Sequence, residues 1–186
     1  ANNTVVKNIT VSNCSNVSIW VYNSSSSLEN ITLENITVNN GGDVGIAVDN
    51  TSYCNITSCT VDNVSAGVFL GYGYVLGLPT HCNDCNISDT TVSNITSMPG
   101  GICLYNSSDN TIYNNTVYNV SYMGQQEVAM GIALNGESNR NNITLNEIYT
   151  SSIGIGLASS NNTNVSLNNI YNNYYGIFSS SSTGHN

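Results

Sequence analysis

Apolar residues in this chain recur at a period far longer than any helix or single strand: two of them, five positions apart, return seven times. The pairs are Val6 and Val11, Ile31 and Ile36, Ile56 and Val61, Ile87 and Val92, Ile112 and Val117, Ile143 and Ile148, and Val165 and Ile170. Their starts lie 25, 25, 31, 25, 31 and 22 residues apart, a repeat near 25 with two insertions. A second signature follows each pair, glycine then apolar, any residue, apolar. It reads Gly45-Ile46-Ala47-Val48, Gly67-Val68-Phe69-Leu70, Gly101-Ile102-Cys103-Leu104, Gly131-Ile132-Ala133-Leu134 and Gly154-Ile155-Gly156-Leu157. Weaker forms stand at Ile19-Trp20-Val21 and Gly176-Ile177-Phe178-Ser179.

Short period-two runs broken by Gly, Asn and Ser predict strands and turns, and no stretch sustains a 3.6-residue period. Strands this short cannot each bury a face alone. A unit of 22 to 31 residues therefore closes one rung of a solenoid, with the next rung about 4.8 Å away. The expected fold is all-β: a single right-handed parallel β-helix of about seven rungs, open-ended. Expected rungs are 4–29, 30–54, 55–85, 86–110, 111–141, 142–163 and 164–186, with insertions near 71–83 and 122–130.

Asparagine follows the same frame. It precedes the first apolar position at Asn30, Asn55, Asn86, Asn142 and Asn164, and a second column holds Asn13, Asn63, Asn94, Asn119 and Asn172. Stacked amides can pass hydrogen bonds between rungs and tolerate the left-handed backbone of tight turns. With its Asn-rich run followed by Gly-Ile-x-Leu, clearest from Asn142 to Leu157 and from Asn164 to Ile177, the chain resembles the parallel β-helix repeat proteins, especially archaeal surface and sheath proteins with NosD-like repeats. The resemblance spans essentially the whole chain and implies the fold. That architecture hosts lyases, hydrolases, adhesins and envelope proteins alike, so function has to come from a site.

Charged residues are 7% of the chain, and Asn, Ser and Thr replace them, with 34 Asn alone. The net charge of −9 sets eleven acids against Lys7 and Arg140, which leaves no basic footprint for nucleic acid. No apolar run is long enough for a membrane span. Six cysteines and eighteen N-x-[ST] sequons point to an oxidising, extracellular or cell-surface setting. If the chain is secreted its signal has been removed, and Ala1 suits a mature start. Asn23, Asn50, Asn106 and Asn161 are the candidate glycosylation sites.

Lyase chemistry on acidic glycans calls for a cationic base, and Lys7 and Arg140 lie too far apart along the repeat to share a site. Hydrolases need paired carboxylates, but the acids are scattered, with only Glu34 and Asp62 expected to approach across rungs. His81 and His185 offer no partner pattern. The expectation is a non-enzyme, with no catalytic residues, cofactor or metal. His81-Cys82-Asn83-Asp84-Cys85 could hold zinc, but the frame favours disulfides: Cys54 and Cys85 sit two residues before the first apolar position of consecutive rungs, within bridging distance. Cys59 and Cys82 are candidates for a second bridge. Cys14 and Cys103 could be free, paired or cross-linked to a neighbour.

The middle residue of the glycine-led strand should point outward, giving an apolar stripe that includes Trp20, Phe69 and Phe178, unless the face assignment is inverted. As an outer stripe it is a candidate assembly surface. No cap is visible at either end, which suits a segment of a longer solenoid or subunits stacking end to end. The leading functional expectation is an extracellular structural protein whose partners are copies of itself, forming a filament, sheath or envelope layer, with covalent N-glycans. The alternative is a carbohydrate-binding or adhesive module using a ladder of Tyr118, Tyr149 and Tyr171, which could equally be tyrosines packing on one another. A polysaccharide lyase or hydrolase is the third reading.

Overall fold

The computed structural model describes residues 2–24, 26–73, 77–78, 81–121 and 129–185. Parts of both expected insertions, residues 74–76, 79–80 and 122–128, lie outside these. The described chain is all strand and turn, apart from one short helical turn at 72–73, and it winds as a parallel β-solenoid. One wall is a seven-stranded parallel sheet running from Val17–Val21 through Val44–Val48, Ala66–Leu70, Gly100–Tyr105, Met130–Asn135 and Ile153–Ala158 to Tyr175–Ser180. The second sheet supplies the other two strands of each rung, for example Asn86–Ser88 and Thr91–Ile95. The long strand Leu28–Asn39 joins its two halves.

Like stacks on like. Ile56, Ile87, Ile112, Ile143 and Val165 pair in one column, and Val61, Val92, Val117, Ile148 and Ile170 in another. From the wall sheet, Ile46, Val68, Ile102, Ile132 and Ile155 face them across one continuous core. The glycine before each of these allows the sheets to close: a Cβ at Gly101 would stand 2.6 Å from both the Gly131 carbonyl oxygen and Val117 Cγ1.

The second rung corrects the sequence frame. Leu33 and Val38, not Ile31 and Ile36, pair with Ile56 and Val61. All four are buried, because the run Leu28–Asn39 offers apolar residues in two registers two positions apart, so hydrophobicity alone does not choose between them. Asn30 therefore falls out of its expected column, where Thr32 pairs with Asn55. Glu34 sits opposite Thr57 rather than Asp62, and Asp62 stacks between Asn39 and Ser93.

The corners are held by buried polar columns. In one, the backbone N–H groups of Cys59, Thr90, Asn115 and Asn146 donate to side-chain oxygens of Thr90, Asn115, Asn146 and Asn168 on the following rung, at 3.2, 3.0, 2.9 and 2.9 Å. A second carries Cys54, Cys85, Asn110 and Asn141, with Cys54 N–H on Cys85 Sγ, Cys85 N–H on Asn110 Oδ1 and Asn110 N–H on Asn141 Oδ1. A third includes Cys82, Ser107 and Ser138. Each column satisfies backbone donors that a turn would otherwise bury unpaired.

This explains the cysteines, all six of which are free thiols in the structure. Four of them replace Asn, Ser or Thr at the N-terminal end of these columns. Cys54 and Cys85 are consecutive members of one. The expected Cys59–Cys82 bridge gives way to two separate columns: Cys59 Sγ turns to the carbonyls of Leu33 and Thr57, Cys82 Sγ to that of Val48.

Candidate functional site

Left-handed turn residues carry the chemistry of the outer surface. Tyr53, Asp84, Asp109, Arg140 and Asn162 each precede a buried corner residue and share a positive φ. In this column Arg140 Nε donates to Asp109 Oδ1 at 2.8 Å and Nη2 to Oδ2 at 2.6 Å. These bonds, with the nearby charge of Asp84, raise the guanidinium pKa further. An exposed pair of this kind adds little to stability, because solvent screens it. Its effect is to shape one wall of a groove of about 390 Å³, which also takes in His81, Asn83, Asn106, Ser108, Glu137 and Asn139.

The floor of the groove is a hydrogen-bonded ladder. Ser108 N–H donates to Asn83 Oδ1 at 2.9 Å, Asn139 N–H to Ser108 Oγ at 3.0 Å, and Asn161 N–H to Asn139 Oδ1 at 2.7 Å. The amide oxygens are thus spent on the wall. The Nδ2 groups of Asn83 and Asn139 and the carboxylate of Glu137 have no side-chain partner among the described residues. Along the sequence these acids are scattered, and His81 and Arg140 stand without a partner pattern. Aligning the residues before Cys54, Cys85, Asn110 and Asn141 would have placed Asp84, Asp109 and Arg140 in one file.

The tyrosine ladder exists, but it offers little to a sugar. Tyr118, Tyr149 and Tyr171 pair in register, with ring centroids 5.1 and 5.0 Å apart and planes within 3° and 9° of parallel. Tyr171 Oη donates to Glu147 Oε1 at 2.9 Å. Both faces of Tyr149, and one face each of Tyr118 and Tyr171, are spent on neighbouring rings.

The outer stripe does point away from the core, and forms a second apolar cluster on the far side of the wall sheet. Its middle is covered: Phe69 is 5% exposed, and Tyr72, Tyr105 and Met130 pack on this cluster. Trp20 at 40% and Phe178 at 43% remain open, at opposite ends. The expected continuous assembly surface is therefore interrupted, because residues next to the insertions fold back over it. Trp20 stacks on Tyr22, and its indole N–H donates to the buried Asp49 Oδ2 at 2.7 Å.

The candidate glycosylation sites differ at Nδ2, the atom that would carry the sugar. Asn50 Nδ2 donates to the carbonyls of Asn23 and Ser26, and Asn23 Nδ2 to Ser26 Oγ. Asn161 uses only its oxygen, accepting from Thr183 N–H and Oγ1. Asn106 lines the groove.

A family profile described as a right handed beta helix region matches residues 29–186. The chain belongs to this right-handed β-helix family. No curated protein matches it significantly. Among solved structures, a complex of XylC with xylose aligns at a TM-score of 0.63 and 15% identity, covering 92% of this chain and 33% of that one. PfbA, a surface adhesin of Streptococcus pneumoniae, aligns at 0.55 and 12% identity, covering 99% and 46%. The chain thus spans between a third and a half of these β-helix neighbours, and at such identities the likeness is one of fold. No helix among the described residues is long and apolar enough to cross a membrane.

Proposed function

We propose that this chain is a rigid β-solenoid module displayed outside the cell, which binds saccharide in the groove between His81 and Arg140 without acting on it. The observation that carries this reading is the set of groups the wall leaves unspent: the amide donors of Asn83 and Asn139 beside the Glu137 carboxylate, above a floor already hydrogen-bonded. Such an array of fixed donors and acceptors suits the hydroxyls of a sugar. Asp109, with both oxygens on Arg140, serves the groove as a wall and not as a free base. A xylose-bearing structure and a surface adhesin among the β-helix neighbours agree with this reading.

The test is calorimetric titration with a panel of neutral and acidic oligosaccharides, xylo-oligosaccharides included. Glu137→Gln and Arg140→Ala are expected to weaken the best ligand by about tenfold each, one hydrogen bond to a charged group apiece. Binding untouched by both substitutions would remove the groove from consideration, and release of reducing ends would make the module an enzyme.

A second reading, end-to-end stacking with copies of itself, is favoured by the last described rung, where Ile177 is 55% exposed while Ile155, its partner on the rung before, is buried. A further rung in the same register would bury it, whether from this chain's own continuation or from a second copy. Light scattering over a concentration series tests it: association that Ile177→Asp abolishes supports stacking, and a concentration-independent monomer rejects it.

A further inference from the structure

Away from the groove, the geometry points to a second binding site, a pocket beside Tyr72 that takes an organic ammonium group. The pocket has a volume of about 290 Å³ and is lined by Asp43, Phe69, Tyr72, Ser97 and Met98, among others. Phe69 and Tyr72 meet at 66° with ring centroids 5.7 Å apart, so the two rings form adjoining walls of a corner instead of a stacked pair. Phe69 is almost fully buried and backs the corner, so the ring left to meet a cation is the half-buried Tyr72, and an aromatic face attracts a cation through its negative quadrupole. Asp43 stands exposed at the rim, and the one ion pair among the described residues, Arg140 with Asp109, lies elsewhere. An unneutralised carboxylate at the mouth of an aromatic corner, in a chain of net charge −9, is complementary to a positive ligand and repels an anionic one.

The corner is also built to stay in place. Asp49 is fully buried, and its two carboxylate oxygens accept from Trp20 Nε1 and from the backbone N–H of Gly73, each at 2.7 Å. Burying a carboxylate is costly unless it is well bonded, and here both bonds go to groups flanking Tyr72: Gly73 follows it in the chain, and Trp20 meets its ring edge-on at 82° and 6.1 Å. Asp49 is a positioning residue that fixes the Tyr72 wall. Burial and the charges of Asp43 and Asp49 all raise the Tyr72 phenol pKa, which is consistent with Asp43 facing the ring. The pocket is separate from the saccharide groove and does not depend on that reading.

The experiment compares choline with its neutral tert-butyl isostere by calorimetry and ligand-observed NMR on the intact protein. Choline is expected to bind at least about tenfold more tightly than the isostere, the order of a desolvated cation–π contact. Asp43→Asn, a surface change that leaves the fold alone, should weaken choline several-fold and leave the isostere unchanged. Tyr72→Leu, which keeps bulk but removes the π face, should erase the preference. Equal affinity for the two ligands would show a merely apolar pocket and overturn the proposal, and so would the absence of saturable choline binding.

Discussion

Asn146 Oδ1 accepts two hydrogen bonds from Asn115, one from its backbone N–H at 2.9 Å and one from its Nδ2 at 3.0 Å. Asn115 in turn accepts from Thr90 N–H and donates to the Ile87 carbonyl. A single amide thus closes several bonds within a buried corner. Asn115→Ala leaves the Thr90 donor and the Ile87 acceptor buried and unpaired, and is expected to cost about 2–5 kcal/mol. Urea unfolding measures this, and a loss below the size of one such bond would mean water replaces the amide. Asn115→Asp should be no better, because it sets an oxygen against the Ile87 carbonyl.

Tyr149 lies between two parallel rings. Tyr149→Ala should therefore lower stability by about 1–3 kcal/mol, the worth of two aromatic contacts, while leaving saccharide affinity as it was. A large drop in affinity with stability unchanged would return the ladder to the role of a sugar platform.

Cys54 and Cys85 are the two thiols that stack directly, and contact with Cys85 and burial both hold the Cys54 pKa well above its ordinary value. Burial does the same for Cys82. These thiols should resist alkylation in the native state and react on unfolding. If the protein is matured under oxidising conditions, peptide mapping should find at most a Cys54–Cys85 bridge. A Cys59–Cys82 linkage would contradict the column assignment.

Burial raises the Asp49 pKa, against the pull of the Gly73 and Trp20 hydrogen bonds. The native state then takes up this proton at higher pH than the unfolded chain does. Its contribution to stability grows as the pH falls through the native pKa and is lost as the pH rises through it again. The fluorescence of Trp20, the one tryptophan, should report the step with a midpoint above the usual carboxylate range. Asp49→Asn should abolish it, and a midpoint at or below that range would show that the hydrogen bonds outweigh burial.

Sequon occupancy should follow the freedom of Nδ2. Asn161 is expected to be modified more readily than Asn50, whose amide is tied to two carbonyls. Glycopeptide mapping decides this, and heavy occupancy at Asn50 with none at Asn161 would mean modification precedes folding. A glycan on Asn106 would fill the groove, so ligand titrations call for protein lacking it.

The fold was legible because Ile56, Ile87, Ile112 and Ile143 repeat in positions that only stacking explains. Register failed where the run Leu28–Asn39 carries apolar residues at two overlapping spacings, leaving backbone pairing to decide between Ile31 and Leu33. Of the two expected cysteine pairs, Cys54 and Cys85 do meet in one column, whereas Cys59 and Cys82 belong to different corners, which only the corner columns separate. The wall of the groove escaped notice because Asp109 and Arg140 share a turn position and not a residue type. Tyr53, Asp84, Asp109, Arg140 and Asn162 look unrelated until they are aligned by their left-handed backbone. Burial of Phe69 was not readable at all, since it depends on where Tyr72 returns.

The hydrogen-bond ladders run in two directions. Those at the buried corners place the backbone donor on the earlier rung, as from Thr90 to Asn115, while the Asn115 side-chain amide donates back to the Ile87 carbonyl. The exposed amide ladders place it on the later one, as from Asn86 to Asn55, Asn119 to Asn94 and Asn164 to Asn142. Their dipoles along the axis therefore oppose each other. An α-helix builds partial charge at its ends from aligned peptides, whereas this rod can be lengthened rung by rung with little axial field to accumulate. Polar amides can then line its whole length without making either end electrically distinct.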